Sequence, residues 1–487
     1  MTRQIRQLGI GLMVCFGILF LQLNRLSVLD AGRLNNNPNN TREILRDFSQ
    51  PRGTITTDDG TVIARSVPSN DRFELQREYP EGPLFAQITG FFSFTLGSAG
   101  VEKTYNDELA GRTLGLSLQH LGDLFVDKDR VGDVELTIRK DLQQVAADAL
   151  GTKKGAVVAL DPRTGAILAM VSYPTYDPNV MANHDTQAAA DAQLALDADP
   201  DKPRLSSAYQ DRFFPGSTFK VVTSTAALTS GTATVDSPVY PVATSYLPPR
   251  TNRPIGNFGG EACGGNLLNA LRVSCNSVFS QMGVDTGAEA MVSTAEGFGF
   301  NSRIPIDLTN PATSVFPSTK DFVRNEPALA QSSIGQFDVS ASPLQMALVA
   351  SAVANGGKIM TPHVLKDVRD TDGNIVDTYD DDEWRTAMDP GTASLLRDAM
   401  YGVVDSGTAT RLDVPGFAVG GKTGTAQLGI DPPRSHAWII GFAGPEGGEP
   451  TIAVAVLVEG VAEASTQTGG RVAAPIAQAV LKKYLQG

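Results

Sequence analysis

The chain has 487 residues, 41% of them apolar, enough to bury a large core. Its 53 acidic and 40 basic residues give a formal charge of -13, which argues against a nucleic-acid binder, because a phosphate backbone needs a basic face. His120, His184, His363 and His436 lack metal-ligand spacing, and neither GxxxxGKS/T nor a strand-anchored GxGxxG occurs, so no zinc or nucleotide site is expected.

Arg3 and Arg6 precede residues 8–23 (LGIGLMVCFGILFLQL), which are apolar apart from Gln22. No A-x-A cleavage site follows, so an uncleaved membrane anchor is expected, with a cleaved signal peptide as the alternative. The leading basic residues favour an inside N-terminus, although Arg25 and Arg33 weaken that asymmetry. Residues 35–40 (NNNPNN) read as a linker. Residues 52–66 (RGTITTDDGTVIARS) set two β-branched runs around Asp58-Asp59-Gly60, which predicts a hairpin. Residues 142–150 (LQQVAADAL) predict a helix.

A second unit is expected from about Gly151. GAVVAL (155–160) and AILAMVS (166–172) flank DPRTG, which predicts another hairpin. The middle of this unit is largely helical in pattern, most clearly at residues 345–355 (QMALVASAVAN). Three strand-like runs follow at 417–426, 436–444 and 451–460. The last is apolar on both faces, so it is expected at the centre of a covered sheet. A helix over about 473–484 comes after the Gly469-Gly470 break. The unit therefore reads as an antiparallel sheet built from both of its ends, with a helical insert.

Three short motifs carry chemistry. In RFFPGSTFKVVTSTAAL (212–228), Pro215-Gly216 interrupts the chain and a helix-capable run begins. Ser217 and Lys220 are three residues apart, on one face of the first turn. A serine hydroxyl needs a base, and a lysine serves only when neutral, which burial and a nearby positive charge both favour. Alone, S-x-x-K is a weak signal. Ser274-Cys275-Asn276 adds S-x-N, and Lys422-Thr423-Gly424 adds K-T-G, 57 and then 148 residues further on. This ordered set occurs in penicillin-binding proteins and class A β-lactamases. Cys263 and Cys275 read either as a disulfide in an oxidising compartment or as two buried thiols.

With these motifs the chain resembles the class B penicillin-binding proteins along nearly its whole length. RGTITTDDGTVIARS, GSAGVEKTYNDELAG (97–111), GAVVALDPRTGAILAMVSYPTYDPN and SIGQFDVSASPLQMALVASAVANGG resemble blocks of that family outside the three motifs. The resemblance implies an α+β fold. A serine β-lactamase-like transpeptidase domain, with a five-stranded antiparallel sheet and helices on both faces, would span 151–487. A strand-rich pedestal of dimerisation type would span 27–150, a transmembrane anchor 8–26, and a cytoplasmic tip 1–7.

The resemblance also implies a peptidoglycan D,D-transpeptidase without cofactors. Ser217 would attack the carbonyl between two terminal D-alanines, and Lys220 would take its proton. The N–H groups of Ser217 and Thr425 would form the oxyanion hole. Ser274 would relay the proton to the leaving group, and Asn276 would hold the donor amide and Lys220. Lys422, Thr423 and Gly424, with Thr425, would bind the terminal carboxylate end of the stem peptide. β-Lactams would acylate Ser217. No glycosyltransferase domain is expected before residue 150, so the implied partners are a membrane glycan polymerase and proteins of the division or elongation machinery.

A class A β-lactamase uses a Glu to activate water, and no E-x-x-L-N lies between the first two motifs; NLLN (266–269) lacks the Glu. A D,D-carboxypeptidase shares all three motifs. A non-catalytic penicillin sensor or scaffold would need a signalling module, for which residues 1–7 are too short. His436 is read as either a cleft residue or a structural strand residue. Residues 237–260, rich in proline, either border the site or form a surface loop. Glu102 is expected to pin the pedestal.

Overall fold

A computed structural model describes residues 2–25, 48–113, 116, 131–429, 434–461 and 467–487. The linker predicted at 35–40 and His120 lie outside them. The described residues form two compact units, one within 1–51 and 67–76, the other within 52–66 and 77–487.

In the first unit, Thr2–Asn24 is a single helix of 23 residues, about 34 Å long at 1.5 Å per residue. Its stretch Ile5–Gln22 has a mean hydropathy of 1.7 and none of it is buried. It is long and apolar enough to cross a bilayer core. Phe48 and Phe73 of the same unit meet edge to face at 6.0 Å.

The second unit is organised by a five-stranded antiparallel sheet. Its spatial order is Phe417–Gln427, Ser435–Pro445, Ile452–Val458, Gly155–Leu160, Ile167–Tyr173. The DPRTG hairpin forms because the Asp161 carboxylate accepts the Arg163 N–H and Gly165 takes a φ of +86°. Ile452–Val458 pairs directly with Gly155–Leu160, which joins the two ends of the unit. All seven of its residues are buried. Successive strand residues point to opposite faces, so this requires cover on both sides. Helix Pro343–Ala354, buried along its whole length, packs on it. So does helix Ala474–Gln486, which pairs with Lys140–Leu150. A helix apolar all round belongs in such a core.

A second sheet contains, in order, Ile375–Thr378, Leu365–Arg369, Asp133–Leu136, Ile55–Thr56 and Val62–Pro68. The Asp58-Asp59-Gly60 hairpin is present: Thr57 N–H donates to the Thr61 carbonyl, and Gly60 takes a φ of +77°. Asp133–Leu136 runs parallel to Ile55–Thr56, while Leu365–Arg369 pairs with it antiparallel. Residues 365–378 therefore complete a sheet whose other strands lie far earlier in the sequence.

Beside this sheet, Glu102 is fully buried between two guanidiniums, Arg52 at 2.7 Å and Arg77 at 2.6 Å. The Tyr79 hydroxyl also donates to it. Burial would raise the Glu102 pKa, but the charges and hydrogen bonds of Arg77 and Arg52 outweigh it and hold the carboxyl below its ordinary value. Glu102 thus ties segments 52, 77 and 102 together, as expected for a structural residue. Glu102→Ala would remove the buried anion that Arg52 and Arg77 share. The expected cost is about 3–5 kcal/mol, read as a large drop in the thermal unfolding midpoint. A midpoint within a degree or two of the unsubstituted chain would refute this role.

Candidate active site

The nucleophile turn is built by close approach. Gly216–Phe219 is a 3-10 turn that leads into helix Lys220–Thr229. Residues three apart eclipse in a 3-10 turn, so Ser217 and Lys220 share a face. Gly216 takes a φ of +54°, and a Cβ there would come within 2.9 Å of the Thr425 carbonyl oxygen. Gly424 is equally confined: its Cβ would lie 2.8 Å from the Pro215 carbonyl oxygen. These two glycines let the turn carrying Ser217 sit against the strand carrying the K-T-G motif. That strand, Phe417–Gln427, is at the sheet edge, so one rim of its backbone groups is left for a ligand.

The S-x-N motif joins helices Leu267–Arg272 and Asn276–Thr286. Ser274 sits between them with a φ of +60°, a left-handed conformation that costs a non-glycine residue energy and is found at functional sites. A disulfide links Cys263 to Cys275, so the middle residue of the motif is tied to strand Cys263–Gly265.

The three motifs meet at one hydroxyl. Ser274 Oγ accepts from Lys220 Nζ at 3.2 Å and from Lys422 Nζ at 2.8 Å. Lys220 Nζ also donates to the Ser274 carbonyl at 2.7 Å and to Asn276 Oδ1 at 2.6 Å. Lys422 Nζ donates in addition to its neighbour's carbonyl, Thr423 O, at 2.9 Å. The Ser217 hydroxyl has no hydrogen-bond partner among the described residues.

Both lysines are fully buried. Burial, and then the adjacent Lys422 charge, drive the Lys220 pKa well below the ordinary lysine value. Burial pushes Lys422 down to about 7. Burial thus pushes both amines towards their neutral forms, with Lys422 titrating near neutrality.

Ser217, Ser274, Asn276, Thr423 and Thr425 all line one cleft of 1190 Å³. Every site residue read from the sequence converges there or directly behind it, Lys220, Lys422 and Gly424 included. His436 does not line it. Its Nδ1 accepts from the Gly460 N–H, its ring packs edge-on against Phe213, and burial lowers its pKa to about 4, so the strand reading holds. Of the proline-rich stretch, Val242 and residues 254–259 do border the cleft.

Thr408 is a cleft residue that sequence reasoning missed. Its hydroxyl lies 2.6 Å from that of Thr423. Only its position after helix Pro390–Ser406 places it there, and no motif marks it. Arg272, Arg411 and Arg471 were missed as cleft residues for the same reason.

Comparison with known proteins agrees with this geometry. Residues 155–482 match the penicillin binding protein transpeptidase domain, and residues 52–134 match the penicillin binding protein A dimerisation domain. The chain is 37% identical over 503 residues to the peptidoglycan D,D-transpeptidase PbpA of Mycolicibacterium smegmatis, covering 100% of this chain and 99% of that protein. It is 37% identical over 500 residues to the protein of the same name from Mycobacterium tuberculosis, covering 100% of both. The structure of penicillin-binding protein A from M. tuberculosis as a ceftriaxone acyl-enzyme superposes with a TM-score of 0.83 at 37% identity, covering 91% of this chain and 100% of that one. Its penicillin G acyl-enzyme gives 0.81, also at 37% identity, over 89% and 99%. With three motifs converging on one hydroxyl and relatives alike from end to end, the chain belongs to the class B penicillin-binding protein transpeptidases.

Proposed function

We propose that this chain cross-links peptidoglycan through an acyl-enzyme on Ser217. The observation that carries the reading is the Ser274 hydroxyl held by both Lys220 and Lys422 beside the nucleophile turn. Ser217 Oγ attacks the carbonyl between two terminal D-alanines, and its proton passes to neutral Lys220. The developing oxyanion is stabilised by the backbone N–H groups of Ser217 and Thr425. Ser274, bonded to both amines, relays the proton to the departing D-alanine nitrogen. Asn276 positions Lys220 and the donor amide. Lys422 and Thr423 take the terminal carboxylate, with Gly424 keeping the strand close to the turn. An amine from a second stem peptide then accepts the acyl group. Penicillin-binding protein A from M. tuberculosis, captured as β-lactam acyl-enzymes, supports an acyl-enzyme route here.

The test is peptide mapping by mass spectrometry after exposure to penicillin G. The adduct is expected on the peptide containing Ser217, and an adduct elsewhere, or none, refutes the assignment. Incubation with donor and acceptor stem peptides should yield a cross-linked product. Hydrolysis alone would point to a carboxypeptidase.

The apolar helix supports a single-pass anchor at 8–26 with the tip 1–7 inside, the pedestal 27–150 and transpeptidase domain 151–487 extracytoplasmic. The chain then works beside a separate membrane glycan polymerase and division or elongation proteins, and does not polymerise glycan. Glycan polymerised by this protein alone would overturn that division of labour.

Carboxylate binding carries a pH dependence with a definite sign. Lys422 is protonated below about 7 and loses its charge above that value. Affinity for a carboxylate is therefore full on the acid side and is lost as pH rises. In a Ser217→Ala chain, the Kd for penicillin G should weaken above pH 7, approaching tenfold per unit if only the charged form binds. A flat Kd between pH 6 and pH 9 would exclude Lys422 as the carboxylate anchor.

A further inference from the structure

Three arginines, Arg272, Arg411 and Arg471, line the cleft on segments that meet around Thr408 and Thr423. The order along the site follows from contacts. Thr425 faces the nucleophile turn, Thr423 comes two residues earlier on the strand, and the Thr408 hydroxyl lies 2.6 Å from Thr423. A Cβ on Gly470 would meet the Thr408 carbonyl oxygen at 2.5 Å, which sets Arg471 next to this corner. Arg411 donates to the Arg471 carbonyl, and Arg272 to the Ser406 carbonyl and Asn269 Oδ1. None of the three has an acidic partner among the described residues. In a chain of net charge -13, the described cleft lining holds these three cations and one acid, Glu261.

The donor peptide does not account for this charge. On the transpeptidase reading, on which this inference rests, its terminal carboxylate is taken by Lys422 and Thr423. Once D-alanine has left, the acceptor must enter from the vacated side. Its neutral amine forms the new C–N bond to the acyl carbon. The ester C–O bond to Ser217 breaks with its electron pair on Oγ, and the proton lost by the amine returns to that oxygen by way of Lys220. The acceptor therefore lies over Thr423 and Thr408 and extends towards the arginines.

We propose that Arg272, Arg411 and Arg471 form an acceptor subsite, selecting an amine-bearing peptide that carries carboxylates beyond the one beside its amine. Arginine suits this task because its planar fork pairs with a carboxylate through two hydrogen bonds.

The test uses the full-length chain in detergent micelles, with an acyl-D-alanyl thioester as donor. D-glutamate and D-glutamine serve as acceptors: they share the α-carboxylate and differ in the second one. Arg411 and Arg471 are exposed and so suit substitution. The double variant Arg411→Gln, Arg471→Gln should raise the acceptor KM for D-glutamate about fivefold to tenfold, as expected for two exposed ion pairs. The KM for D-glutamine should move less than about twofold. In the unsubstituted chain, added salt should weaken D-glutamate more than D-glutamine, since exposed charges are screened and the buried Lys422 much less. Equal KM shifts for both acceptors, or none for D-glutamate, would overturn the subsite. Transfer that proceeds without arginine dependence removes this inference alone. No transfer and no penicillin label on the unsubstituted chain would remove the transpeptidase reading and this one with it.

Discussion

Ser217→Ala is expected to abolish covalent labelling by β-lactams, with acylation at least about 10⁴-fold slower than in the unsubstituted chain. The physical reason is the absence of a substitute. Ser274, the other hydroxyl in the cluster, already accepts hydrogen bonds from two amines. It also sits on a backbone fixed at a φ of +60°, not on the turn that abuts Thr425. The same substitution should leave folding nearly intact, because the Ser217 hydroxyl makes no hydrogen bond among the described residues and such changes are usually within about 0.5 kcal/mol. Fluorescent-penicillin labelling and thermal unfolding of both chains check the two halves together. Residual covalent label on a folded Ser217→Ala chain would mean another residue is the nucleophile.

Lys220→Ala should slow acylation by about 10³-fold, within the range general-base catalysis supplies. Lys220→Arg is the sharper comparison. A guanidinium keeps the positive charge and several donors but does not lose its proton in proteins. If Lys220 acts as the base, the arginine variant is as slow as the alanine one. If Lys220 served only to bridge Ser274 and Asn276, arginine would restore much of the rate. The pH profile adds an independent sign. Acylation should rise with pH as Lys220 deprotonates, and burial together with Lys422 places that limb well below the ordinary lysine range. Lys422→Ala removes the neighbouring positive charge, so the limb should move to higher pH. Second-order acylation rates from pH 5 to pH 10 would show it. An arginine variant within tenfold of the unsubstituted rate, or an unmoved limb, would rule out this coupling.

Much of the catalytic unit was legible from local chemistry. The DPRTG turn between two apolar runs demanded a hairpin, and the hairpin is there. Residues 451–460, apolar on both faces, could lie only in the middle of a covered sheet, where Ile452–Val458 sits. Ser217 was read at the start of an α-helix, and it sits instead in a 3-10 turn. Packing of Gly216 against Thr425 governs that detail. The pairing of Cys263 with Cys275 was one of two open readings, and the fold brings them together. Hairpin Leu365–Thr378 gave no hint that it completes a sheet begun near residue 55. Its strands are short and mostly polar, and strand partners are chosen by long-range packing.

The order of S-x-x-K, S-x-N and K-T-G, the apolar N-terminal segment and the core sheet strands were determined by the sequence alone, because each rests on residue type and short-range period. What only the tertiary structure decided is electrostatic. Lys220 is pushed towards the uncharged form that a base needs because it is buried within reach of Lys422, 202 positions away in the chain. Thr408 and the three arginines come to line one cleft because segments far apart in the chain meet there. Burial and proximity set a charge's state, and neither is a property of a residue until the chain has folded.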